Sequence, residues 1–507
     1  MQNPDGGVLL AIDVGTSGAR ASAFDLAGHR LFEMRRAYPT DMPRDEWAEQ
    51  DARRWRDASL SALGALIKRL PPGTEIHAIG LTGQCPSVVP IDRRGEPLRA
   101  GIIYRDNRAT AEAASLRERF GAAEWHARTG HVPEAFHVAA KLLWIRAHEP
   151  AVFAAAHRFV EPSDYVGLAL TGELSTDWTT AAASALLDLR QRRWADDLFD
   201  AAGLDPARLP TPRPSWAVIG TLRPSLQRRF GLARPVPVVA GAGDSIACAF
   251  GAGVTSAGPV SEMAGSSTCI NTVIPAPLTE PAVTHYPSAT GETGYVTELG
   301  VNTSGEAIDW LASLLYGGRG GHATAADFER LDREAAAVPA GADGVVIVPV
   351  LGDGERDDPA LRGTVVGLSL RHGRAAWARA MLEGVAFAIR AHVELLARAS
   401  GPSSELRVSG RSANLQTWNQ IKADVLGMPV VRVPGDATAA GVAMLAGLGV
   451  GVYPDPDTAV RTACRLDPPV EPDPRRHERY DAIYERYRAV VAAPTSRIPA
   501  AMTAVEA

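Results

Sequence analysis

The sequence predicts an α/β protein built from two related halves, and three observations carry that expectation. Short apolar strands alternate with helix-like segments along the chain, the pattern of helices packed on mostly parallel sheets. A strand–glycine–hydroxyl–hydroxyl–strand pattern near residue 13 recurs near residue 263. Finally, 507 residues and 53.6 kDa suffice for two or three domains with a large buried core.

In the first half, residues 7–14 (Gly-Val-Leu-Leu-Ala-Ile-Asp-Val) read as a buried strand, a short apolar run just after turn residues. A Gly-Thr-Ser-Gly turn follows, and Ala19 to Asp25 alternates as the return strand of a hairpin. Ala52 to Leu70 reads as helix, and Ile76 to Leu81 as a strand ending at Thr82-Gly83-Gln84. Arg108 to Phe120, Leu142 to Ala156 and Ala195 to Ala202 read as helices. Residues 204–237, rich in Pro and Arg, read as a connector. Val236 to Ala240 is a strand running into Gly241-Ala242-Gly243-Asp244, and Ala247 to Gly253 reads as a small-residue helix crossing between domains.

In the second half, Val260-Ser261-Glu262-Met263-Ala264 leads to Gly265-Ser266-Ser267-Thr268 and a second apolar stretch, Cys269 to Ile274. Asp-Val-Gly-Thr-Ser at 13–17 and Met-Ala-Gly-Ser-Ser at 263–267 thus open two similar-sized halves, which points to two related domains. Strands follow at Gly344 to Val350, Leu406 to Val408 and Val430 to Val433, with helices at Ala375 to Ala399, Leu415 to Leu426 and Ala437 to Leu448. Residues 452–492 read as a Pro- and Asp-rich linker and then a helix with Tyr480, Ile483, Tyr484, Tyr487 and Val491 on one face. The tail, 493–507, is expected to be disordered.

Composition narrows the function. Hydrophobic residues make up 46% and charged residues 22%, an ordinary globular balance. A net charge of −6 leaves no basic footprint for nucleic acid or an acidic membrane surface. Cys85, Cys248, Cys269 and Cys464 are too scattered for a disulfide framework or a zinc site and suggest a reducing compartment. With no apolar run near ~18 residues and an acidic Met1 to Asp5, the expectation is a soluble cytoplasmic protein. The only lysines are Lys68, Lys141 and Lys422, and none follows a glycine, which removes the P-loop nucleotide-binding class.

Four motifs bear chemistry. In Asp13-x-Gly15-Thr16-Ser17-Gly18, glycines let backbone approach a phosphate, successive N–H groups form an anion nest, a strand-end carboxylate can hold Mg²⁺, and Arg20 can neutralise charge. By itself the same motif is equally a plain hairpin with polar turn residues. Gly241-Ala242-Gly243-Asp244-Ser245 leaves an acid open to a ligand, or else caps the helix that starts near Ser245. Ile246 stands where a dinucleotide fingerprint needs glycine. Gly265-Ser266-Ser267-Thr268 is a turn that becomes the second jaw of a phosphate clamp only as the partner of residues 15–17. Ser409-Gly410-Arg411-Ser412-Ala413-Asn414, between a strand and a helix, offers backbone to an adenosine or is a tight strand-to-helix turn. His126, His131 and His137 match no common metal spacing and read as surface or satisfied core residues. Glu33, Asp41, Asp45, Glu46, Glu49 and Asp51 read as a solvated acidic stretch.

Together and in this order the motifs resemble the FGGY family of carbohydrate kinases, xylulokinase-like, within the actin/sugar kinase/Hsp70 superfamily. The resemblance runs from Leu9 to about Gly451. It also takes in Trp47-Ala48-Glu49-Gln50-Asp51, Ile79-Gly80-Leu81-Thr82-Gly83-Gln84 and Tyr104-Arg105-Asp106-Asn107-Arg108. Glu161-Pro162-Ser163-Asp164-Tyr165, Leu170-Thr171-Gly172-Glu173, Thr176-Asp177 and Trp418 to Gly427 fit as well.

The resemblance implies an α/β fold of two ribonuclease-H-like, actin-like ATPase domains with an interdomain cleft. Residues 7–246 would form the sugar-binding N-terminal domain and 254–451 the ATP-binding C-terminal domain. It implies ATP and Mg²⁺ as cofactors, Asp244 as catalytic base, and Asp13 with Asp244 at the metal, bound through water. Thr16, Ser17, Arg20, Gly265, Ser266, Ser267, Gly410, Arg411 and Asn414 would serve ATP and its phosphates. Gln84, Cys85, Pro86, Tyr104, Asp106 and Asp244 would meet the substrate. The implied activity is phosphorylation of a small sugar, a pentulose favoured. Erythritol, glycerol or ribulose are alternative substrates, and a non-catalytic sugar sensor is the alternative class. Three departures mark this chain. Cys85-Pro86 stands where xylulokinase-like members carry Met-His and glycerol-kinase-like members Arg-Glu, Tyr104 replaces a Trp, and Gly410-Arg411-Ser412 occupies a triple-glycine turn. The sequence leaves the oligomeric state open, a homodimer included.

Overall fold

The apolar run that opens the chain becomes an inner strand of a sheet covered on both faces, which is why it reads as continuous rather than alternating. The structure, a computed structural model, describes residues 6–317, 322–352, 354–355, 358, 360–493 and 496. By packing, the chain divides into two compact units. The first holds residues up to Thr255, then Val273–Thr297 and Ala437–Arg465, and the second holds Ser256–Thr272, Glu298–Asp436 and the residues from Leu466 on.

In the first unit six strands form a mixed sheet: β1 (Val8–Gly15), β2 (Gly18–Asp25), β3 (Arg30–Ala37), β4 (Ile76–Gly83), β5 (Val218–Thr221) and β6 (Pro237–Val239). Their spatial order is β5-β6-β4-β1-β2-β3. The first two strands form the expected hairpin, with Asp13 opposite Arg20 and Gly15 opposite Gly18. β4 runs parallel to β1 and sets Thr82 beside Asp13. Leu10, Ile12 and Val14 of β1 pack on one face with Trp55, Leu63 and Leu66 of the helix Ala52–Ile67. Leu9 and Ala11 pack on the other with Ile246 and Phe250 of the helix Asp244–Gly251 and with Val442, Ala443 and Leu445 of the helix Ala437–Gly449.

The second sheet repeats the opening motif. Its strands are β7 (Pro259–Ala264), β8 (Thr268–Ile274), β9 (Thr284–Pro287), β10 (Tyr295–Val301), β11 (Glu405–Gly410) and β12 (Val430–Arg432), in spatial order β9-β10-β8-β7-β11-β12. β7 and β8 form an antiparallel hairpin, and β11 runs parallel to β7, as β4 does to β1. The sequence echo at 13–17 and 263–267 is therefore an echo of topology.

Several expectations need correction. Residues 204–237 are not a plain connector: they hold short strands at Thr211–Arg213 and Val218–Thr221 and a helix at Pro224–Phe230. Leu142 to Ala156 is two helices, Val138–His148 and Pro150–Ala155, because Pro150 lacks the N–H to continue the first. The helix expected to begin at Ala247 and to cross between domains begins at Asp244, ends at Gly251 and lies inside the first unit. Within 452–474 a further helix spans Pro456–Ala463. The expected tail, apart from residues 493 and 496, lies outside the described residues. Among the described residues, no helix is long and apolar enough to cross a membrane.

Candidate active site

The turn that ends β1 carries the first cluster. Asp13 is buried, and its Oδ2 accepts hydrogen bonds from Arg20 Nε at 3.0 Å and Nη2 at 2.5 Å. The facing register of β1 and β2 sets up this pair. Arg20 is 38% exposed, so a fixed cation reaches the surface of the unit beside an acid that is only 6% exposed. Thr16 Oγ1 donates to Tyr104 Oη at 3.4 Å, although 88 residues separate the two. The exposed Ser17 accepts from Arg35 Nη2 at 2.6 Å. Tyr38 Oη donates to Gly15 O at 2.6 Å, and burial, with Asp13 nearby, holds its phenol far above its ordinary range.

Gln50, to which the sequence motifs assign no role, ties this turn to the next segment. Gln50 Nε2 donates to Thr16 O at 2.8 Å and to Thr40 Oγ1 at 2.6 Å. Its Oε1 accepts from Trp55 Nε1 at 2.7 Å and from Gln84 Nε2 at 2.8 Å. One fully used amide thus joins the turn at Thr16 to the Gln84 segment.

Gln84-Cys85-Pro86 leaves the end of β4, and its scaffold is ionic. Lys141, fully buried, donates from Nζ to Pro86 O at 3.0 Å and to Ile103 O at 2.9 Å, holding the Gln84 and Tyr104 segments together. Glu161 Oε2 accepts from Ser87 N at 2.6 Å, and Asp164 accepts from Glu161 N at 3.1 Å. Burial pushes the Lys141 ammonium down to about 7, against the pull of Glu161 and Asp106. Burial likewise pushes the Glu161 and Asp164 carboxyls well above the usual carboxylate range. Sequence reasoning missed Lys141, yet its signal was there: one lysine in the otherwise apolar run Val138 to Ile145.

Tyr104 is exposed, but Asp106 is fully buried and does not face solvent. Its carboxylate accepts from Arg108 Nη2 at 2.7 Å and from Ala48 N at 2.6 Å. Arg108 also pairs with Glu49 at 2.7 Å and lies 3.7 Å over the Trp47 ring. Glu49, read as part of a solvated acidic stretch, is instead mostly buried, because Arg99 and Arg108 both claim its carboxylate. His126, His131 and His137 are all buried, and His126 Nε2 lies 2.7 Å from Val283 O.

Asp244 is half-buried and stands at the first position of its helix. It does not cap that helix: Gly243 holds the capping position without a side-chain bond, and Asp244 Oδ1 accepts from Ser245 N at 2.8 Å. The turn before it lies hard against β4. Gly241 has φ +80°, and a Cβ there would sit 1.6 Å from Leu81 O, so only glycine fits. A Cβ on Gly243 would lie 3.1 Å from Cys85 Sγ. The Gln84-Cys85 segment and the Asp244 turn therefore abut within one unit.

In the second unit, the turn Gly265 to Ser267 is exposed between β7 and β8. Ser266 O accepts from Glu306 N at 2.9 Å, seating the turn on the first residues of the helix Ser304–Tyr316. Helix N-termini favour anions. Gly410, Arg411 and Asn414 are exposed at the end of β11, where Asn414 Oδ1 accepts from Arg432 Nη1 at 2.7 Å. Beneath them lies a buried ion pair, Lys422 to Glu262 at 2.7 Å.

Residues 8–251 match the N-terminal domain of the FGGY family of carbohydrate kinases, and residues 261–450 its C-terminal domain. A glycerol kinase from Polaromonas naphthalenivorans is 32% identical over 469 residues, 89% of this chain and 92% of that protein. A xylulose kinase from Bacillus subtilis is 27% identical over 490 residues, 95% of this chain and 96% of that protein. Among solved structures, xylulose kinase from Rhodospirillum rubrum superposes with a TM-score of 0.87 at 33% identity, covering 96% of this chain and 98% of that one.

Proposed function

The chain belongs to the FGGY family of carbohydrate kinases, and on that premise we propose that it moves the γ-phosphoryl group of ATP to a hydroxyl of a pentulose, xylulose first among them. It is a phosphotransferase of sugars that uses ATP. The xylulose kinases among its relatives support the finer reading. In that reading, residues 7–246 serve the sugar and 254–451 the nucleotide, and the enzyme works in the cytoplasm.

Asp244 is the base. The observation that carries the assignment is that Asp244, half-buried, follows directly on Gly243, which packs against Cys85. The substrate O–H gives its proton to that carboxylate as the oxygen bonds to the γ-phosphorus, and the bond from that phosphorus to the bridging oxygen of ADP breaks. The transition state is loose, so positioning and charge neutralisation supply most of the catalysis.

Arg20, anchored by Asp13, presents a fixed cation to phosphate charge, the Ser17 hydroxyl adds a donor, and Thr16 adds another when its proton turns from Tyr104 to the phosphate. Gln84, Cys85 and Tyr104 face the sugar, and Asp106 acts beneath them by fixing Arg108. In the second unit, Gly265, Ser266 and Ser267 receive phosphate oxygens, and Gly410, Arg411 and Asn414 receive the nucleoside.

Among the described residues, no three His, Cys, Asp or Glu side chains gather as a metal cage. Mg²⁺ needs none, since one or two carboxylates, waters and nucleotide phosphates complete its octahedron. The single carboxylates of Asp13 and Asp244 fit that donor set, and the ion would supply neutralisation of phosphate charge.

A coupled ADP-release assay across pentuloses, hexuloses and polyols tests the activity. Turnover is expected to be fastest with a pentulose, and tight sugar binding with no turnover on any of them overturns the kinase reading. Asp244→Asn should leave sugar affinity near normal while kcat falls about 10²-fold or more. An unchanged kcat removes Asp244 from the mechanism.

A further inference from the structure

The peptide units that precede Asp244 are held by a side chain 64 residues away. Thr179 is fully buried, and its Oγ1 accepts from Gly243 N at 2.8 Å. The same hydroxyl donates to Asp177 Oδ1 at 2.5 Å. Asp177 is buried as well, and its Oδ1 also accepts from Thr179 N at 2.7 Å and Thr180 N at 3.1 Å, capping the helix Trp178–Ala183. On the other side of the Gly243 Cα, its carbonyl accepts from Ala247 N at 2.9 Å, the first bond of the Asp244 helix. Both peptide groups around Gly243 are thereby fixed, and with them the direction in which the next residue leaves the backbone.

We propose that Thr179 and Asp177 form a positioning relay that aims Asp244 at the substrate hydroxyl. The inference rests on the reading of Asp244 as base. Glycine at 243 is free to rotate unless something restrains it. A threonine hydroxyl suits the task because its single proton can go only one way. The Asp177 carboxylate accepts the hydrogen bond from that proton, which leaves a Thr179 lone pair facing the Gly243 amide. Asp177 is in turn oriented by two backbone donors of its own helix. Burial pushes its carboxyl above the usual range, while those donors and the hydroxyls of Thr179 and Thr180 pull it back. Neither Thr179 nor Asp177 needs to touch a ligand for this to operate. The relay acts through one backbone N–H.

Thr179→Val keeps the shape and removes the hydroxyl, whereas Thr179→Ser keeps it. Using ATP and the acceptor that turns over fastest in the panel above, Thr179→Val should lower kcat about tenfold or more, as expected for sub-ångström misplacement of a reacting group. The sugar Kd and a binding stoichiometry near one per chain, read by calorimetry, should not move. Thr179→Ser should recover most of the rate. In an Asp244→Asn background, Thr179→Val should cost nothing further, because the group it aims is gone.

Equal losses in both backgrounds, no loss in the intact background, or failure of serine to rescue would each overturn the relay. If Asp244→Asn itself leaves kcat intact, the base assignment falls and the relay with it. If Asp244→Asn abolishes turnover and Thr179→Val does not slow it, the relay alone falls. Should Thr179→Val not yield folded protein, Thr179→Ala, which also removes the hydroxyl, carries the same two-background comparison.

Discussion

Lys141 shows how a single buried side chain can tie two loop segments together. It spends its ammonium on two backbone carbonyls, Pro86 and Ile103, in the two segments proposed above to meet the sugar. A charge so buried is costly, and the cost is visible in its proton affinity, pushed from 10.5 to about 7. Between those values the unfolded chain binds a proton that the folded chain does not, so this residue adds stability as pH rises through the window. The stability of the native sequence relative to Lys141→Met, read from denaturant midpoints, should therefore grow from pH 7 to pH 10. A difference that stays flat or shrinks contradicts this. Lys141→Met should also raise the KM for the sugar, since both carbonyl tethers go.

His285 has the same logic at acid pH. Burial, with His126 nearby, pushes its imidazole from 6.5 down to about 4. The unfolded chain takes up that proton first, so stability contributed by the neutral ring is lost as pH falls from about 6.5 toward 4. Thermal melts of His285→Gln should lose less stability over that interval than the native chain.

Helices with little to offer but small side chains can still position the site. The helices Asp244–Gly251 and Ala437–Gly449 meet backbone to backbone: a Cβ on Gly251 would sit 1.9 Å from Ala437 O, and one on Gly441 would sit 1.9 Å from Ala247 O. Neither carbonyl can retreat without moving its helix. Gly441→Ala should destabilise the protein by about 1–3 kcal/mol, the range for overpacking, and should lower kcat as well, because the helix it displaces carries Asp244. Unchanged Tm and kcat would refute that coupling. Elements of this kind were legible in outline. Ala437 to Leu448 read as a small-residue helix, but nothing in the sequence says which backbone such a helix will touch. The connector at 204–237 misled for a related reason. Its prolines stop long elements, yet short strands at Thr211–Arg213 and Val218–Thr221 form because neighbouring strands supply their hydrogen bonds.

At the scale of the whole molecule, the first unit borrows Ala437–Arg465 from far along the chain. That segment covers the face of β1 formed by Leu9 and Ala11. A fragment ending at Thr255 would keep the helix Asp244–Gly251 on this apolar face and leave the rest of it open. It should bind hydrophobic dyes and unfold without a cooperative transition, whereas supplying residues 437–465 should restore one. A cooperative melt of the short fragment would refute the dependence.

The α/β class, the duplicated hairpin and the ordered string of motifs that mark a sugar kinase were legible along the chain. These are local: strand pattern, turn chemistry and spacing are written in consecutive residues. Folding alone set the burial of Asp106 beside Arg108, the partial burial of Glu49, the ties that Gln50 and Lys141 make between segments, and the hold of Thr179 on Gly243. Those roles depend on burial and on partners dozens of residues distant, and a buried polar side chain is held by whichever donor or acceptor the folded chain happens to bring within reach.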